Sequence, residues 1–141
     1  MPSFSHSVEL SQPPEAVFPW LLEEDKVPRW TSALQSYAVD GPLRPGATVR
    51  QTLDVAGGLK LTMDIVSYDP PRSAQTRFET NGVKVESGYR LEPSGAGTML
   101  TQTLEAKAGG LTGRMLIPVV QGRLEGKLKT DLDRLRDLLS G

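Results

Sequence analysis

The sequence contains no cysteine and a single histidine, and these two shortages exclude several kinds of chemistry. Without cysteine there is no disulfide bond, no thiol nucleophile and no cysteine-based zinc site. His6 alone cannot form a cluster of metal-binding histidines, so we predict neither a metal site nor a cofactor. A chain without cysteine also suits a reducing compartment, and we expect a cytoplasmic protein.

Blocks of like charge and long apolar runs are missing as well. The chain has 16 basic and 17 acidic residues and a net charge of −1, with no cluster of either sign. We therefore expect no nucleic-acid partner. No run approaches the ~20 apolar residues that cross a bilayer, and the opening MPSFSHSVEL has no secretory pattern. These observations predict no membrane insertion. Nor is there a Walker-type phosphate loop or a Gly-x-Ser-x-Gly motif.

The last part of the chain carries the pattern of a long helix. Residues 115–139 read MLIPVVQGRLEGKLKTDLDRLRDLL, with apolar residues in steps of three or four. These residues are Ile117, Val120, Leu124, Leu128, Leu132, Leu135 and Leu139. Their spacing lays one apolar stripe along the helix, and this stripe must be covered by another element.

The middle of the chain alternates instead with the period of a β-strand. In residues 59–69, apolar Leu59, Leu61 and Met63 alternate with Lys60 and Thr62. Similar alternation and intervening turn residues predict strands at 4–10, 35–39, 48–55, 59–69, 74–80, 83–91 and 98–106. Two short helices are predicted between the first two strands, at 16–22 and 28–34. Pro19 interrupts the first of them.

The predicted order is therefore β-α-α-β6-α, an α+β chain. A length of 141 residues fits one domain, spanning 1–141. Because a sheet and an amphipathic helix each have an apolar face to bury, we expect the terminal helix to lie on the sheet.

This order, with the residues that carry it, resembles the START-like helix-grip superfamily, also called SRPBCC. The motifs are SVELSQPPEAVFPWLLEEDKVPRW, LRPGATVR, VSYDPPRSAQTRF, YRLEPSGAGTMLTQT and the long terminal helix. The superfamily includes polyketide cyclase/dehydrase-like proteins, lipid-transfer domains, birch-pollen-allergen-type proteins and relatives of the Hsp90 activator. The resemblance implies a seven-stranded antiparallel sheet curved around the C-terminal helix, with a pocket or tunnel between them.

Five polar residues fall on strand faces that are otherwise apolar. They are Gln51, Thr76, Ser87, Tyr89 and Gln102. A buried polar group without a partner costs ~1–3 kcal/mol, so this set favours water or a ligand over dry packing. The alternative is a shifted register or a bulge that turns these residues outward. With the apolar residues of the same faces and helices, the candidate ligand-binding set is Trp30, Gln51, Met63, Thr76, Phe78, Ser87, Tyr89, Gln102, Val120 and Leu124. For its aliphatic members, ordinary core packing is the favoured interpretation.

Two glycines of the terminal helix, Gly122 and Gly126, also need an explanation, since each costs ~1 kcal/mol relative to alanine. Close approach of the helix to the sheet is the favoured interpretation, and room for a ligand is the alternative.

Two functional hypotheses follow. The first is a protein that binds a small hydrophobic ligand, lipid-like or polyketide-like, between sheet and helix, as a monomer or homodimer. The alternative is a polyketide cyclase/dehydrase-type enzyme that uses the same pocket, with His6 and Tyr89 as candidate catalytic residues. His6 lies near the start of the first strand, where a solvated role is favoured. A protein–protein adaptor would need a contiguous apolar patch outside the sheet, which the sequence does not show.

Overall fold

A computed structural model describes residues 3–54, 58–80, 82–108 and 111–139, with side chains at 3–54, 58–80, 82–107 and 122–139. The strands are β1 (Ser3–Leu10), β2 (Leu34–Asp40), β3 (Thr48–Leu53), β4 (Leu59–Asp69), β5 (Ser73–Thr80), β6 (Val83–Ser94) and β7 (Gly97–Ala108). The helices are α1 (Pro14–Val17), α2 (Pro19–Leu22) and α3 (Leu111–Leu139), with a 3₁₀ turn at Val27–Arg29.

The seven strands form one antiparallel sheet in the order β1-β7-β6-β5-β4-β3-β2. Each strand from β2 to β7 pairs with its neighbour in sequence, and β1 closes the order by pairing with β7. In that last pair, His6 lies opposite Gln102 and Val8 opposite Leu100. The architecture confirms the predicted β-α-α-β6-α helix-grip fold.

The segment between β1 and β2 follows the prediction in one place and departs from it in another. Pro19 divides the first predicted helix into α1 and α2. The second predicted helix, at 28–34, is wrong: only the 3₁₀ turn Val27–Arg29 forms. Ala33 has a positive φ of 57°, which a right-handed helix cannot contain, and Leu34 already belongs to β2.

α3 buries its apolar stripe against one side of the sheet. It packs on β7, β1 and β6. Leu132 and Leu135 are fully buried, and Leu128 and Leu139 are nearly so. Each such side chain contributes about 1.5–3 kcal/mol to folding. The stripe is thus confirmed from residue 124 onward, while Ile117 and Val120 lie outside the side chains that the structure describes.

The helix glycines contradict both interpretations offered for them. Gly122 and Gly126 are exposed, and a Cβ placed on either would meet no atom within 4 Å. They neither bring the helix close to the sheet nor make room in its interior. Gly97, at the start of β7, does allow a close approach, because a Cβ there would overlap the carbonyl of Leu10.

Across the described part of the chain, no helix is long and apolar enough to span a bilayer. The same residues contain no cluster of three or more His, Cys, Asp or Glu side chains arranged for a metal ion.

Candidate functional site

A cavity of about 120 Å³ lies between the inner face of the sheet, α2, the 3₁₀ turn and α3. Its apolar lining consists of Leu21, Leu22, Val27, Trp30, Leu53, Leu61, Met63, Phe78, Leu104, Leu124 and Leu128. For scale, an engineered cavity of about 150 Å³ in another protein binds benzene. The space is therefore close to that of one aromatic ring.

The hollow arises from how the sheet is covered. α3 packs mainly on β7 and β1, at one edge of the sheet, and less on β6. At the opposite edge, the 3₁₀ turn packs on β2. The inner faces of β3, β4 and β5 lie between these two covers, and from them Gln51, Met63 and Thr76 face the cavity.

Nine of the ten residues predicted to bind a ligand line this one cavity. They are Trp30, Gln51, Met63, Thr76, Phe78, Ser87, Tyr89, Gln102 and Leu124. The tenth, Val120, lies outside the described side chains. All five polar members of the set face the cavity, so the alternative of a shifted register does not apply to them. Their role toward a ligand remains a prediction.

The polar wall of the cavity is built from neighbouring residues of β5, β6 and β7. Gln102 Nε2 donates a hydrogen bond to Ser87 Oγ at 2.9 Å. Thr76 Oγ1 donates to the carbonyl oxygen of Ser87 at 3.5 Å. Tyr89 lies opposite Gln102 in the β6–β7 register, which places its ring on the same wall.

Sequence reasoning missed the two charged residues that complete this wall, Lys127 and Asp131 of α3. Their side chains are only 17% and 6% exposed and form an ion pair. The backbone N–H of Ser32 donates to Asp131 Oδ1 at 2.8 Å. Their spacing in the sequence could have revealed them. They follow Leu124 by three and seven residues, and this spacing places them on the buried side of the helix.

Two tyrosine phenols of the cavity are held in the protonated form. Burial raises the pKa of Tyr89, the negative charge of Asp131 raises it further, and a hydrogen bond with Gln102 opposes the rise. Burial is also the main cause that raises the pKa of Tyr37, whose hydroxyl donates to the carbonyl of Leu22 at 2.8 Å. Both phenols are therefore hydrogen-bond donors at neutral pH.

The segment that carries Trp30 forms part of the cavity wall. The indole N–H of Trp30 donates to the carbonyl of Trp20 at 2.8 Å, and the side chain is almost fully buried. The next residue, Thr31, also lines the cavity, and its buried hydroxyl has no hydrogen-bond partner among the described residues. A buried hydroxyl without a partner costs about 1–3 kcal/mol, so Thr31 is a destabilising polar position beside the cavity.

The two candidate catalytic residues are not brought together. Tyr89 lies in the cavity, whereas His6 is not part of its lining. His6 projects from the edge strand β1 toward α3, where its Nε2 lies 3.4 Å from Asp133 Oδ1. Both side chains of this pair are partly exposed, at 26% and 46%.

The comparison with known families agrees with this architecture. Residues 1–140 match the family described as polyketide cyclase / dehydrase and lipid transport. The chain belongs to this family. The match confirms the START-like, SRPBCC-type resemblance.

Individual relatives are distant. An uncharacterised protein of Mycobacterium tuberculosis is 24% identical over 111 residues, which is 76% of this chain and 66% of the relative. A Mycobacterium bovis protein matches equally. The chain thus spans about two thirds of the length of the curated relatives it matches.

Solved structures share the fold at low identity. Ara h 8.0201 is 15% identical, with a TM-score of 0.75, covering 98% of this chain and 97% of that one. The di-domain ARO/CYC protein BexL, from the BE-7585A biosynthetic pathway, is 12% identical with a TM-score of 0.80, covering 99% of this chain and 50% of that one. A Thermus thermophilus protein is 16% identical with a TM-score of 0.78, covering 96% of this chain and 95% of that one. These likenesses establish the helix-grip fold.

Proposed function

We propose that the protein binds a small hydrophobic ligand, lipid-like or polyketide-like, in the cavity between the sheet and α3. The observation that carries the proposal is the cavity itself, which has a mainly apolar lining on the inner face of the sheet. Membership of a family described by polyketide cyclisation and lipid transport supports the same function.

The energetics of the cavity favour an occupant. A dry, empty space costs about 24 cal/mol per Å³ in core-truncation experiments, so 120 Å³ held free of both water and ligand would cost about 3 kcal/mol. That is a substantial part of the ~5–15 kcal/mol by which a domain is stable. A ligand with apolar surface would restore the missing packing contacts along the leucine wall.

Ethylbenzene, an apolar molecule of one aromatic ring and a two-carbon chain, tests the proposal. We expect the delipidated protein to bind it in an NMR titration, and Leu104→Phe to weaken binding about tenfold or more, because the larger side chain occupies the cavity. Leu138→Phe is the matched control, since Leu138 is 39% exposed and outside the lining. A parent protein that does not bind ethylbenzene, or a Leu104→Phe variant that binds it as the parent does, would refute the proposal.

Tyr89 supports a second function, that of a cyclase/dehydrase-type enzyme. Its protonated phenol faces the cavity and can donate a hydrogen bond to a carbonyl oxygen of a bound poly-β-ketone, where it would stabilise the negative charge that develops. If the protein cyclises and dehydrates such a substrate, mass spectrometry will detect the loss of one water. Tyr89→Phe should then reduce the rate about 10²-fold or more. His6→Ala should not, because His6 is outside the cavity. Equal rates for the parent and Tyr89→Phe would reject this role.

A further inference from the structure

The Lys127–Asp131 pair is an unusual feature for a cavity with a leucine-rich lining. Both side chains border the cavity, and both are largely buried. Removing an ion pair from water carries a large desolvation penalty, and such a pair persists only where its remaining polar atoms find partners. Here Asp131 meets that condition: Oδ1 accepts from the Ser32 N–H and Oδ2 faces the Lys127 ammonium.

The rest of this wall offers donors to the cavity. An ammonium group carries three N–H donors, and the contact with Asp131 uses one of those of Lys127. Ser87 accepts a hydrogen bond from Gln102, which leaves its own O–H as a donor. The phenol of Tyr89 is on the same wall. Each oxygen of Asp131 already accepts one hydrogen bond, so a ligand oxygen placed beside Lys127 finds three groups that can donate to it: the ammonium, the Ser87 hydroxyl and the Tyr89 phenol.

Charge balance decides which acceptor fits. The ammonium of Lys127 is neutralised by Asp131, so a neutral acceptor such as a ketone oxygen leaves the net charge of the cavity unchanged. A carboxylate would bring a second negative charge beside Asp131 and would lose its own water shell. The single positive charge of Lys127 cannot compensate for two carboxylates in this surrounding.

From these contacts we infer that the Lys127–Asp131 pair determines specificity: the cavity accepts hydrophobic molecules with a neutral carbonyl group and excludes ionised carboxylic acids. The inference rests on the proposed function, since it concerns the same cavity. It separates ketone-bearing molecules from free fatty acids, which the apolar lining alone would accept equally.

Three probes of nearly the same shape test the inference on the full chain. They are ethylbenzene, acetophenone and benzoate, which differ only in the group attached to the ring. At neutral pH we expect acetophenone to bind about tenfold tighter than ethylbenzene, because it gains a hydrogen bond to the donor wall. Benzoate should bind at least tenfold more weakly than acetophenone. This comparison uses the parent protein and depends on no variant.

A nearly isosteric substitution should reverse the selectivity. Asp131→Asn keeps an oxygen for the Ser32 N–H but removes the negative charge beside Lys127. We expect benzoate affinity to rise at least tenfold in this variant. Asp25→Asn is the matched control, because Asp25 is 78% exposed and is not part of the lining, and it should leave the affinities for all three probes unchanged.

The outcomes distinguish a failure of the specificity inference from a failure of the proposed function. Benzoate and acetophenone binding equally to the parent would overturn the specificity inference. So would Asp131→Asn without a gain for benzoate. In both cases, ethylbenzene binding would leave the proposed function standing. If none of the three probes binds, the inference and the proposed function fail together.

Discussion

The buried ion pair of α3 gives the most demanding prediction of stability. Lys127 and Asp131 are 17% and 6% exposed, so neither charge is well solvated when its partner is removed. We consider three variants: Lys127→Met, Asp131→Leu and the double substitution. Both replacements are apolar and remove the charge: Met is close in size to Lys, and Leu keeps the branched shape of Asp with larger methyl groups in place of its oxygens.

The expected magnitudes follow from what each variant leaves behind. Lys127→Met leaves Asp131 charged and supported by the Ser32 N–H alone, and Asp131→Leu leaves the Lys127 ammonium without a carboxylate. Breaking a buried pair from one side costs about 3–5 kcal/mol. Asp131→Leu should be at the upper end of this range, because it also deprives the Ser32 N–H of its acceptor.

The double variant should be far less damaging than the sum of the single ones. It contains no buried charge, and its remaining defect is the Ser32 N–H without an acceptor, which costs about 1–3 kcal/mol. Additive effects would instead give about 6–10 kcal/mol. We therefore expect a large favourable coupling energy between the two substitutions.

Urea denaturation at neutral pH, followed by the fluorescence of the two tryptophans, measures these free energies of unfolding. The exposed pair of Arg72 and Asp69, at 74% and 54% exposure, is the control, and breaking it should change stability by less than about 1 kcal/mol. Single substitutions at 127 and 131 that cost less than about 1 kcal/mol, or a double variant that equals their sum, would show that the pair is not buried as described.

Three further predictions concern the rest of the molecule. Gly97→Ala should destabilise the protein by more than about 1 kcal/mol in the same assay, because its Cβ would overlap the backbone of β1; unchanged stability would contradict that contact. Gly122→Ala and Gly126→Ala should each stabilise by about 1 kcal/mol, since both positions are open and helical; a loss of stability would indicate a hidden contact. Folding raises the pKa values of Tyr37 and Tyr89, so the folded protein favours their neutral form. Their contribution to the free energy of unfolding is complete below the unfolded pKa of about 10 and is lost as the pH rises above that value. Unfolding measured from about pH 9 to 11 should show this decline, and a flat profile would refute it.

Much of the fold and part of the site could be predicted from local patterns. The period of two in β4 determines that Leu61, Met63 and Ile65 face inward, and the spacing in α3 determines that Leu128 and Leu132 do. Face assignment is a local property of the backbone, so the sequence alone was sufficient. The same logic placed the five polar residues on the inner wall.

Local patterns could not tell packed positions from hollow ones. Val85 and Ser87 are two residues apart on the same face of β6, yet Val85 is fully buried in the core while Ser87 lines the cavity. The difference depends on which side chains of other elements pack above each residue. Those elements are remote in sequence, and no period within one strand encodes their position.

Lys127 and Asp131 show the same difference between what local patterns predict and what the tertiary structure decides. The sequence alone determined the order of the elements, the inward faces and the family, because these follow from short-range periodicity and motif order. Only the tertiary structure decided that Lys127 and Asp131 border a cavity while Gly122 and Gly126 face open space. An amphipathic helix has a boundary between its apolar and polar faces. Whether a residue at that boundary meets solvent or an interior depends on the tilt of the helix against the sheet.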